Sequence, residues 1–166
     1  MPGKPNSERR SGCPVSLSLE VFGDRWSLLI VRDLMVRGYR TFSEFEASGE
    51  GIATNILSDR LRKLEAWGII LAEPAESDGR RTNYRLTEKG IDLAPVLLDL
   101  LIWGARHLPA DASCALLLQM EKNREAILVE TRRRWRERDP TPLIPRFNAT
   151  VGRSWAGTRG RKPREN

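Results

Sequence analysis

One stretch near the middle of the chain, residues 51–68, has the pattern of an amphipathic helix with an unusual polar face. Leu57, Leu61 and Leu64 recur at helical spacing and predict one apolar edge, which Ile56 and Trp67 extend. The opposite face begins with short hydrogen-bonding side chains and reaches a cation only later, in the order Asn55, Ser58, Asp59, Arg62. This order differs from the mixture of Lys and Glu that is usual on a solvated helix face.

Short polar side chains followed by a cation suit a helix that enters the major groove of DNA by its N-terminal end. Asn and Ser can then reach base edges, and Arg can reach guanine or a phosphate. The predicted contacts are Asn55, Ser58 and Arg62 in the groove and Thr54 and Lys63 beside the phosphate backbone. Taken alone, the stretch fits a solvent-exposed surface helix equally well, because single motif matches are often false positives.

The flanking residues extend this helix into a larger motif. A short helix is predicted at residues 43–48, with Phe42 and Phe45 inward and Ser43 on the DNA side, followed by a glycine-containing turn. Residues 69–73 and 82–86 are predicted strands, and Pro74 is expected to end the first. A helix-turn-helix directly followed by a hairpin predicts a mainly α winged helix-turn-helix with a small β-hairpin wing.

The predicted turn of this hairpin carries two adjacent cations, Arg80 and Arg81. We expect both to bind phosphate or a narrow minor groove. Removing both should then lower the slope of log affinity against log salt by about 2, since each phosphate contact contributes about one unit.

The helices at the two ends of this domain carry a surplus of apolar residues. Pro14 suits the first turn of a helix at residues 15–22, Asp24 is a candidate cap for a helix at residues 25–36, and Thr87 for one that follows the hairpin. The surplus predicts a homodimer, with reading helices about 34–36 Å apart, on a pseudo-palindromic site. The predicted dimer residues are Leu17, Val21, Leu93, Val96, Leu97, Leu100, Leu101 and Trp103.

Length and periodicity suggest four segments in the 166 residues. We expect a flexible arm at 1–12, the winged helix domain at 13–108, a helical extension at 109–139 with its helix at 112–138, and a disordered basic tail at 140–166. The formal net charge of +6 lies mainly in the two ends of the chain. DNA binding by the folded part must therefore be argued from where its cations lie.

Several classes of protein are disfavoured by the composition. No apolar run approaches the roughly 18 residues that span a bilayer, and residues 1–12 lack the apolar core of a signal peptide, so we expect a cytoplasmic protein without membrane contact. Cys13, Cys114 and His107 are too few and too scattered for a zinc site. We expect no metal, no cofactor and no enzymatic activity.

Several blocks, in order, resemble the HxlR-type winged helix regulators of bacteria, a branch close to the MarR group. They begin with Cys13-Pro14-Val15, Gly23-Asp24-Arg25-Trp26-Ser27-Leu28-Leu29-Ile30 and Arg40-Thr41-Phe42-Ser43-Glu44-Phe45. They continue with Gly51-Ile52-Ala53, Leu57-Ser58-Asp59-Arg60-Leu61, Leu64-Glu65, Tyr84-Arg85-Leu86-Thr87-Glu88-Lys89-Gly90 and Trp103-Gly104. The resemblance covers residues 13–108.

This resemblance implies a homodimeric transcriptional regulator of inverted-repeat operators, paired through the first and last helices of the domain. It also implies that Cys13 could sense oxidants, as the matching cysteine does in some members. A position ahead of a helix, near Arg9 and Arg10, would favour its thiolate. The alternative is a structural role near the dimer interface, which the lack of a second cysteine nearby in sequence favours. Thr41 stands where the family usually has Arg, and the wing reads Asp78-Gly79-Arg80-Arg81 where a proline is more common.

Two further hypotheses concern partners. A winged helix used only for protein contacts is the alternative to a DNA-binding regulator, although such a surface usually has more aromatic residues and fewer cations. A small-molecule effector could bind among Trp26, Trp67 and Trp103, although tryptophans at helical spacing more often belong to a core.

Overall fold

The computed structural model of the chain describes residues 12–75, 78–108 and 121–143. The helices in these ranges are α1 (Pro14–Phe22), α2 (Ser27–Arg32), α3 (Phe42–Glu46), α4 (Thr54–Ala66), α5 (Glu88–Ile91), α6 (Ala94–His107) and α7 (Arg124–Glu137). A π-helical turn, Asp33–Arg37, continues α2. The strands β1 (Ile70–Ala75) and β2 (Asp78–Leu86) form an antiparallel hairpin. The described chain is therefore a mainly helical winged helix-turn-helix, as the sequence predicts.

The core forms where α2, α4 and the hairpin meet. Leu57, Leu61 and Leu64 of α4 are almost completely buried, which confirms the apolar edge predicted from their spacing. They belong to one cluster with Val31 of α2 and Ile70 of β1. Burial of this edge leaves the other face of α4 for solvent or a ligand.

Asp24 hydrogen-bonds to the start of the second helix, but that helix is shorter than predicted and its N-cap residue is Trp26 rather than Asp24. Asp24 Oδ1 accepts hydrogen bonds from the backbone N–H groups of Trp26 and Ser27 at 2.8 and 2.9 Å. The α-helical part spans Ser27–Arg32, and the remainder of the predicted helix is the π-helical turn. A π-helical turn cannot be recognised from apolar periodicity because it shifts the register by only one residue.

Four charged side chains form a network at the end of α2. Asp33 Oδ1 accepts from Arg32 Nε and Nη2 at 2.9 and 2.7 Å, and Arg37 Nη1 lies 3.3 Å from the same oxygen. Arg32 Nη1 donates to Glu50 Oε1 at 2.9 Å, and Arg37 Nη1 donates to the Ser48 carbonyl at 3.1 Å. Burial raises the pKa of Asp33, while the charges of Arg32 and Arg37 oppose that rise. The network fastens the turn before α4 to α2.

The helix-turn-helix consists of α3, a glycine turn and α4. Thr41 and Glu44 form a capping box, in which Thr41 Oγ1 accepts from the Glu44 N–H and the Glu44 carboxylate accepts from the Thr41 N–H. This box starts α3 at Phe42, and the helix ends at Glu46, two residues before the predicted end at Ser48. Gly49 and Gly51 adopt positive φ angles of 85° and 73°, which glycine allows without strain.

The wing strands are longer than the sequence predicts. The register pairs Ile70 with Leu86 and Pro74 with Thr82, so β1 continues through Pro74 rather than ending there. Proline is tolerated because β1 is an edge strand of this two-stranded sheet, and an edge strand can leave the position of a missing N–H toward solvent. On its other side β2 forms a bridge from Asn83 to Thr41, which links the wing to the start of α3.

The helix predicted after the wing is divided in two. Thr87 caps α5 as expected, because its hydroxyl accepts a hydrogen bond from the Gly90 N–H at 3.1 Å. The chain then turns at Asp92 and restarts as α6 with Pro95 in its first turn. Proline lacks an N–H and fits the first turn of a helix better than its interior, which explains the interruption.

The helical extension differs from its predicted bounds of residues 112–138. The chain turns at Lys122 and Asn123, and α7 spans Arg124–Glu137. Residues 109–120, including Cys114, and residues 144–166 lie outside the described ranges, as do residues 1–11. The first residues of the predicted disordered tail pack on the domain, since Leu143 N–H donates to the Val36 carbonyl at 2.9 Å.

Candidate nucleic-acid interface

The polar face of α4 presents three predicted groove residues at i, i+3 and i+7. Asn55 and Arg62 are exposed, and Ser58 is half-buried. The Arg62 side chain is 74% exposed, and its Nη2 lies 3.8 Å from Asp59 Oδ1. At such exposure an ion pair contributes little, so the guanidinium is available to an anion. The arrangement supplies an amide, a hydroxyl and a guanidinium on one accessible face, the groups that read base edges in the major groove.

Thr54, a predicted contact to the DNA phosphate backbone, links the start of α4 to α3. Thr54 Oγ1 donates a hydrogen bond to Glu46 Oε1 at 2.8 Å. Ser43, the predicted contact on α3, is exposed, and its hydroxyl lies 3.3 Å from Thr41 Oγ1. Thr54 and Ser43 therefore lie on the two helices of the helix-turn-helix.

Asp24 lies beside two cations of α4, a contact that the sequence pattern does not predict. Its carboxylate lies 3.2 Å from Arg60 Nε and 3.8 Å from Lys63 Nζ. Burial acts to raise the pKa of Asp24, yet hydrogen bonds from Ser27 and Trp26 and the charge of Arg60 hold it below its ordinary value. Lys63 thus lies on the side of α4 that faces the start of α2. No local signal connects residues 24 and 60, so only the fold reveals this contact.

The wing cations do not lie in a turn, which corrects the prediction. Arg80 and Arg81 are residues of β2, and both side chains are exposed. They lie between Asp78 and Thr82, which pair with the neighbouring residues Ala75 and Pro74 of β1. This register shift interrupts the regular alternation of side chains at the two arginines.

The predicted dimer residues fall into three classes. Leu17 of α1 and Val96, Leu100 and Trp103 of α6 are exposed, with Trp103 56% exposed. Leu93 and Leu101 are half-buried. Val21 and Leu97 are buried in the core of the single chain, and their place on an interface stays a prediction. The exposed members on α6 follow helical spacing and form one apolar stripe.

The three tryptophans proposed as an effector pocket do not come together. Arg25 stacks over Trp26, Lys89 lies over Trp67, and Trp103 contacts His107, with separations of 5.0, 5.9 and 5.3 Å. A small cavity between α2 and the turn before α4 is lined by Trp26 but by neither of the others. The sequence hypothesis of a shared pocket is therefore not supported.

Cys13 lies directly before α1 and is exposed. Hydrogen bonds from the backbone of Ser16 and Val15 lower the pKa of its thiol, which favours the reactive thiolate. Within the described ranges, no cluster of His, Cys, Asp and Glu could hold a metal ion, and no helix has the length and apolar character to cross a membrane.

Comparison with known proteins agrees with this geometry. The profile of the HxlR-like helix-turn-helix family matches residues 21–112. The chain is 42% identical over 103 residues to MT3179 of Mycobacterium tuberculosis (strain CDC 1551 / Oshkosh), an uncharacterized HTH-type transcriptional regulator, and spans 64% of that relative with 62% of its own length. It is 36% identical over 100 residues to the HTH-type regulator YybR of Bacillus subtilis (strain 168), covering 60% of this chain and 77% of YybR.

Two solved structures share the fold. One is PA1607, a proposed transcription factor, with a TM-score of 0.57, 44% identity, and coverage of 63% of this chain and 71% of PA1607. The other is the redox regulator HypR in its oxidized form, with a TM-score of 0.53 and 32% identity. The match covers 59% of this chain and 100% of HypR. Helix-turn-helix, wing and sequence profile agree, and the chain belongs to the HxlR-like family of helix-turn-helix transcriptional regulators.

Proposed function

We propose that this protein is a sequence-specific transcriptional regulator that binds pseudo-palindromic operators as a homodimer. The observation that carries the proposal is the difference between the two faces of α4. Its leucine edge is buried, while Asn55 and Arg62 on the other face are exposed. A helix held in this way can enter the major groove without losing its packing. The adjacent hairpin adds exposed cations within the same domain.

The residues of the interface have distinct roles in this proposal. Asn55, Ser58 and Arg62 read base edges. Ser43 in the first turn of α3 and Thr54 at the start of α4 contact the phosphate backbone of the DNA. Lys63 reaches a phosphate only by leaving Asp24, from which it is 3.8 Å away. Arg80 and Arg81 add wing contacts. Base contacts specify the operator, whereas backbone contacts fix the register of the protein on it.

The dimer forms through the exposed apolar residues of α6 and α1. Val96, Leu100 and Trp103 form the stripe on α6, and Leu17 on α1 adds apolar surface. Exposed apolar stripes favour association because pairing removes them from water. A Leu100→Glu variant should sediment as a monomer at micromolar concentration and lose operator affinity. A dimeric Leu100→Glu variant would place the interface elsewhere.

Redox control through Cys13 is part of the proposal. The lowered thiol pKa supports it, as does the likeness to HypR, a redox regulator. Two-electron oxidation by an agent such as diamide would join Cys13 through a disulfide to its counterpart in the dimer, to Cys114 or to a small thiol, while the oxidant takes up the two electrons and two protons. That bond would shift α1 and so change the spacing of the two reading helices. Operator affinity with and without diamide, in the parent chain and in Cys13→Ser, tests this role, and an equal response of both chains would exclude Cys13.

The experiment for DNA binding is a gel shift on the DNA upstream of the protein's own coding sequence, repeated at several salt concentrations. We expect tighter binding to that DNA than to random DNA of equal length, and weaker binding to both as salt rises. A domain used only for protein contacts would bind neither DNA in a salt-dependent manner.

A further inference from the structure

The extension helix α7 lies beyond the segment that matches the family profile, yet it packs on the base of the wing. The Trp135 indole N–H donates to the Leu86 carbonyl of β2 at 2.8 Å. Arg85 Nη2 donates to the Trp135 carbonyl at 3.1 Å, and its guanidinium lies 5.5 Å from the centre of the Trp135 ring. Arg138 Nη2 lies 3.6 Å from Glu73 of β1. Both strands therefore contact one end of the extension.

The opposite side of β2 is held by the helix-turn-helix. The Tyr84 ring lies 6.1 Å from the ring of Phe45 in α3, and the Tyr84 N–H donates to the Arg40 carbonyl at 2.7 Å. Neighbouring residues Tyr84 and Arg85 thus contact α3 and α7 respectively, as alternation along a strand requires. The base of the wing lies between these two helices.

The extension is anchored independently of the wing. Near its start, Arg124 Nη2 lies 2.9 Å from Asp99 Oδ2 of α6, and Arg132 pairs with Asp92. After its end, the chain approaches Gly38 so closely that a Cβ there would lie 2.7 Å from the Pro140 carbonyl oxygen. A helix fixed at both ends can hold the part of the molecule that lies between.

We infer that α7 is a brace that sets the orientation of the wing, and that Trp135 is the positioning residue through which it acts on DNA binding. A two-stranded hairpin is only marginally stable alone, so its packing determines where its exposed end lies. This inference rests on the proposed function, because the orientation of the wing affects DNA binding only if the wing contacts DNA. It assigns a role to a segment outside the family's matched residues.

The test uses Trp135→Phe, which keeps an aromatic ring but removes the donor to Leu86. Val129→Ala is the matched control, because Val129 lies on the same helix and is 69% exposed. Operator affinity is measured for the parent, Trp135→Phe, Arg80→Ala/Arg81→Ala, and the combination of all three changes. Hydrogen exchange of the amides of β1, β2 and α4 is followed in the same proteins.

Trp135→Phe should weaken operator binding about three- to tenfold, the effect of one lost neutral hydrogen bond. It should also speed amide exchange in the wing strands and leave α4 unchanged. In the variant that lacks both wing arginines, Trp135→Phe should have no further effect, since the interaction it positions is already gone. Val129→Ala should bind like the parent.

Two outcomes would overturn the brace. Equal weakening by Trp135→Phe with and without the wing arginines would mean that α7 only stabilises the fold, and unchanged exchange in β1 and β2 would mean that Trp135 does not hold the hairpin. A third outcome concerns the proposed function instead. If Arg80→Ala/Arg81→Ala alone binds the operator like the parent, the wing contact with DNA is wrong, and faster wing exchange in Trp135→Phe would still identify the structural contact.

Discussion

The reading helix α4 and the extension helix α7 both carry several cations, but their side chains are held differently. In α4 the Arg62 guanidinium is 74% exposed and only loosely paired with Asp59. In α7 four of the five arginines face carboxylates of the same chain: Arg124 pairs with Asp99, Arg132 with Asp92, Arg133 with Glu130, and Arg134 with Glu130. Arg60 and Lys63 of α4 likewise lie beside Asp24, so Arg62 is the cation of the reading helix that is held least.

This difference shows why charge alone does not locate a DNA interface. An arginine that already donates to a carboxylate must lose that contact before it can bind a phosphate, whereas an exposed one need not. The two helices also dock differently, since α4 buries a continuous leucine edge while α7 combines ion pairs with Trp135. Four experiments test whether the two helices differ in this way.

The largest effect is expected from removing apolar volume beneath α4. Leu57 is completely buried, so Leu57→Ala should lower the free energy of unfolding by about 2–5 kcal/mol. Val129→Ala on the exposed face of α7 should change it by less than about 0.5 kcal/mol. Urea denaturation measures both. Similar losses in the two variants would mean that α4 and α7 do not differ in how they dock.

The next effect concerns DNA. Arg62→Ala should cost about 1–3 kcal/mol of operator binding and relax the preference at one base pair if Arg62 reads a base. Arg133→Ala removes the same charge from α7, where Arg133 also pairs with Glu137 and Asp139. The operator affinity of Arg133→Ala should lie within about twofold of that of the parent, since salt screens the long-range attraction between this charge and the DNA phosphates. Equal losses would show that net charge, rather than placement, controls binding.

The two wing arginines, Arg80 and Arg81, test one residue at a time whether the position of a cation decides its contribution to DNA binding. The sequence predicts that both arginines contact phosphate, and both lie exposed in the irregular part of β2, between Asp78 and Thr82. We therefore expect Arg80→Ala and Arg81→Ala each to lower the slope of log operator affinity against log salt by about one unit. Titrations at several salt concentrations measure both slopes. An unchanged slope in one variant would mean that its side chain does not contact a phosphate.

The smallest effect is a loosening of α7 in acid. Hydrogen bonds from Arg133 and then Arg134 lower the pKa of Glu130 to about 2, from an ordinary value of 4.5. A lowered carboxyl pKa adds stability that is present above pH 4.5 and is lost as the pH falls toward 2. The protection factors of the α7 amides should fall in that window before those of the α4 amides do. In Glu130→Gln this pH-dependent step should be absent.

Much of the fold could be predicted because it depends on local patterns. The spacing of Leu57, Leu61 and Leu64 predicts the buried edge of α4, and the side chains of Asp24 and Thr87 identify helix starts. The failures also have local causes. The strand through Pro74 is an edge strand, and the interruption before α6 follows from Pro95.

The candidate interface was less predictable, because its details depend on residues that are distant in sequence. Exposure of Asn55 and Arg62 follows from periodicity, but the proximity of Asp24 to Arg60 and Lys63 does not. The contact of Trp135 with Leu86 joins residues almost fifty positions apart. Apolar residues on α6 could be recognised, whereas the burial of Leu97 beside the exposed Trp103 required the packed structure.

The ion network of Arg32, Asp33, Arg37 and Glu50 has a consequence for how this sequence can diverge. Its two guanidinium groups and two carboxylates balance inside the protein, and removing one member leaves an uncompensated buried charge at a cost of about 3–5 kcal/mol. A pair can be replaced together by apolar residues of similar volume at much lower cost. Substitutions at these four positions should therefore be inherited in combination, and a random library selected for folding should recover correlated changes rather than single ones.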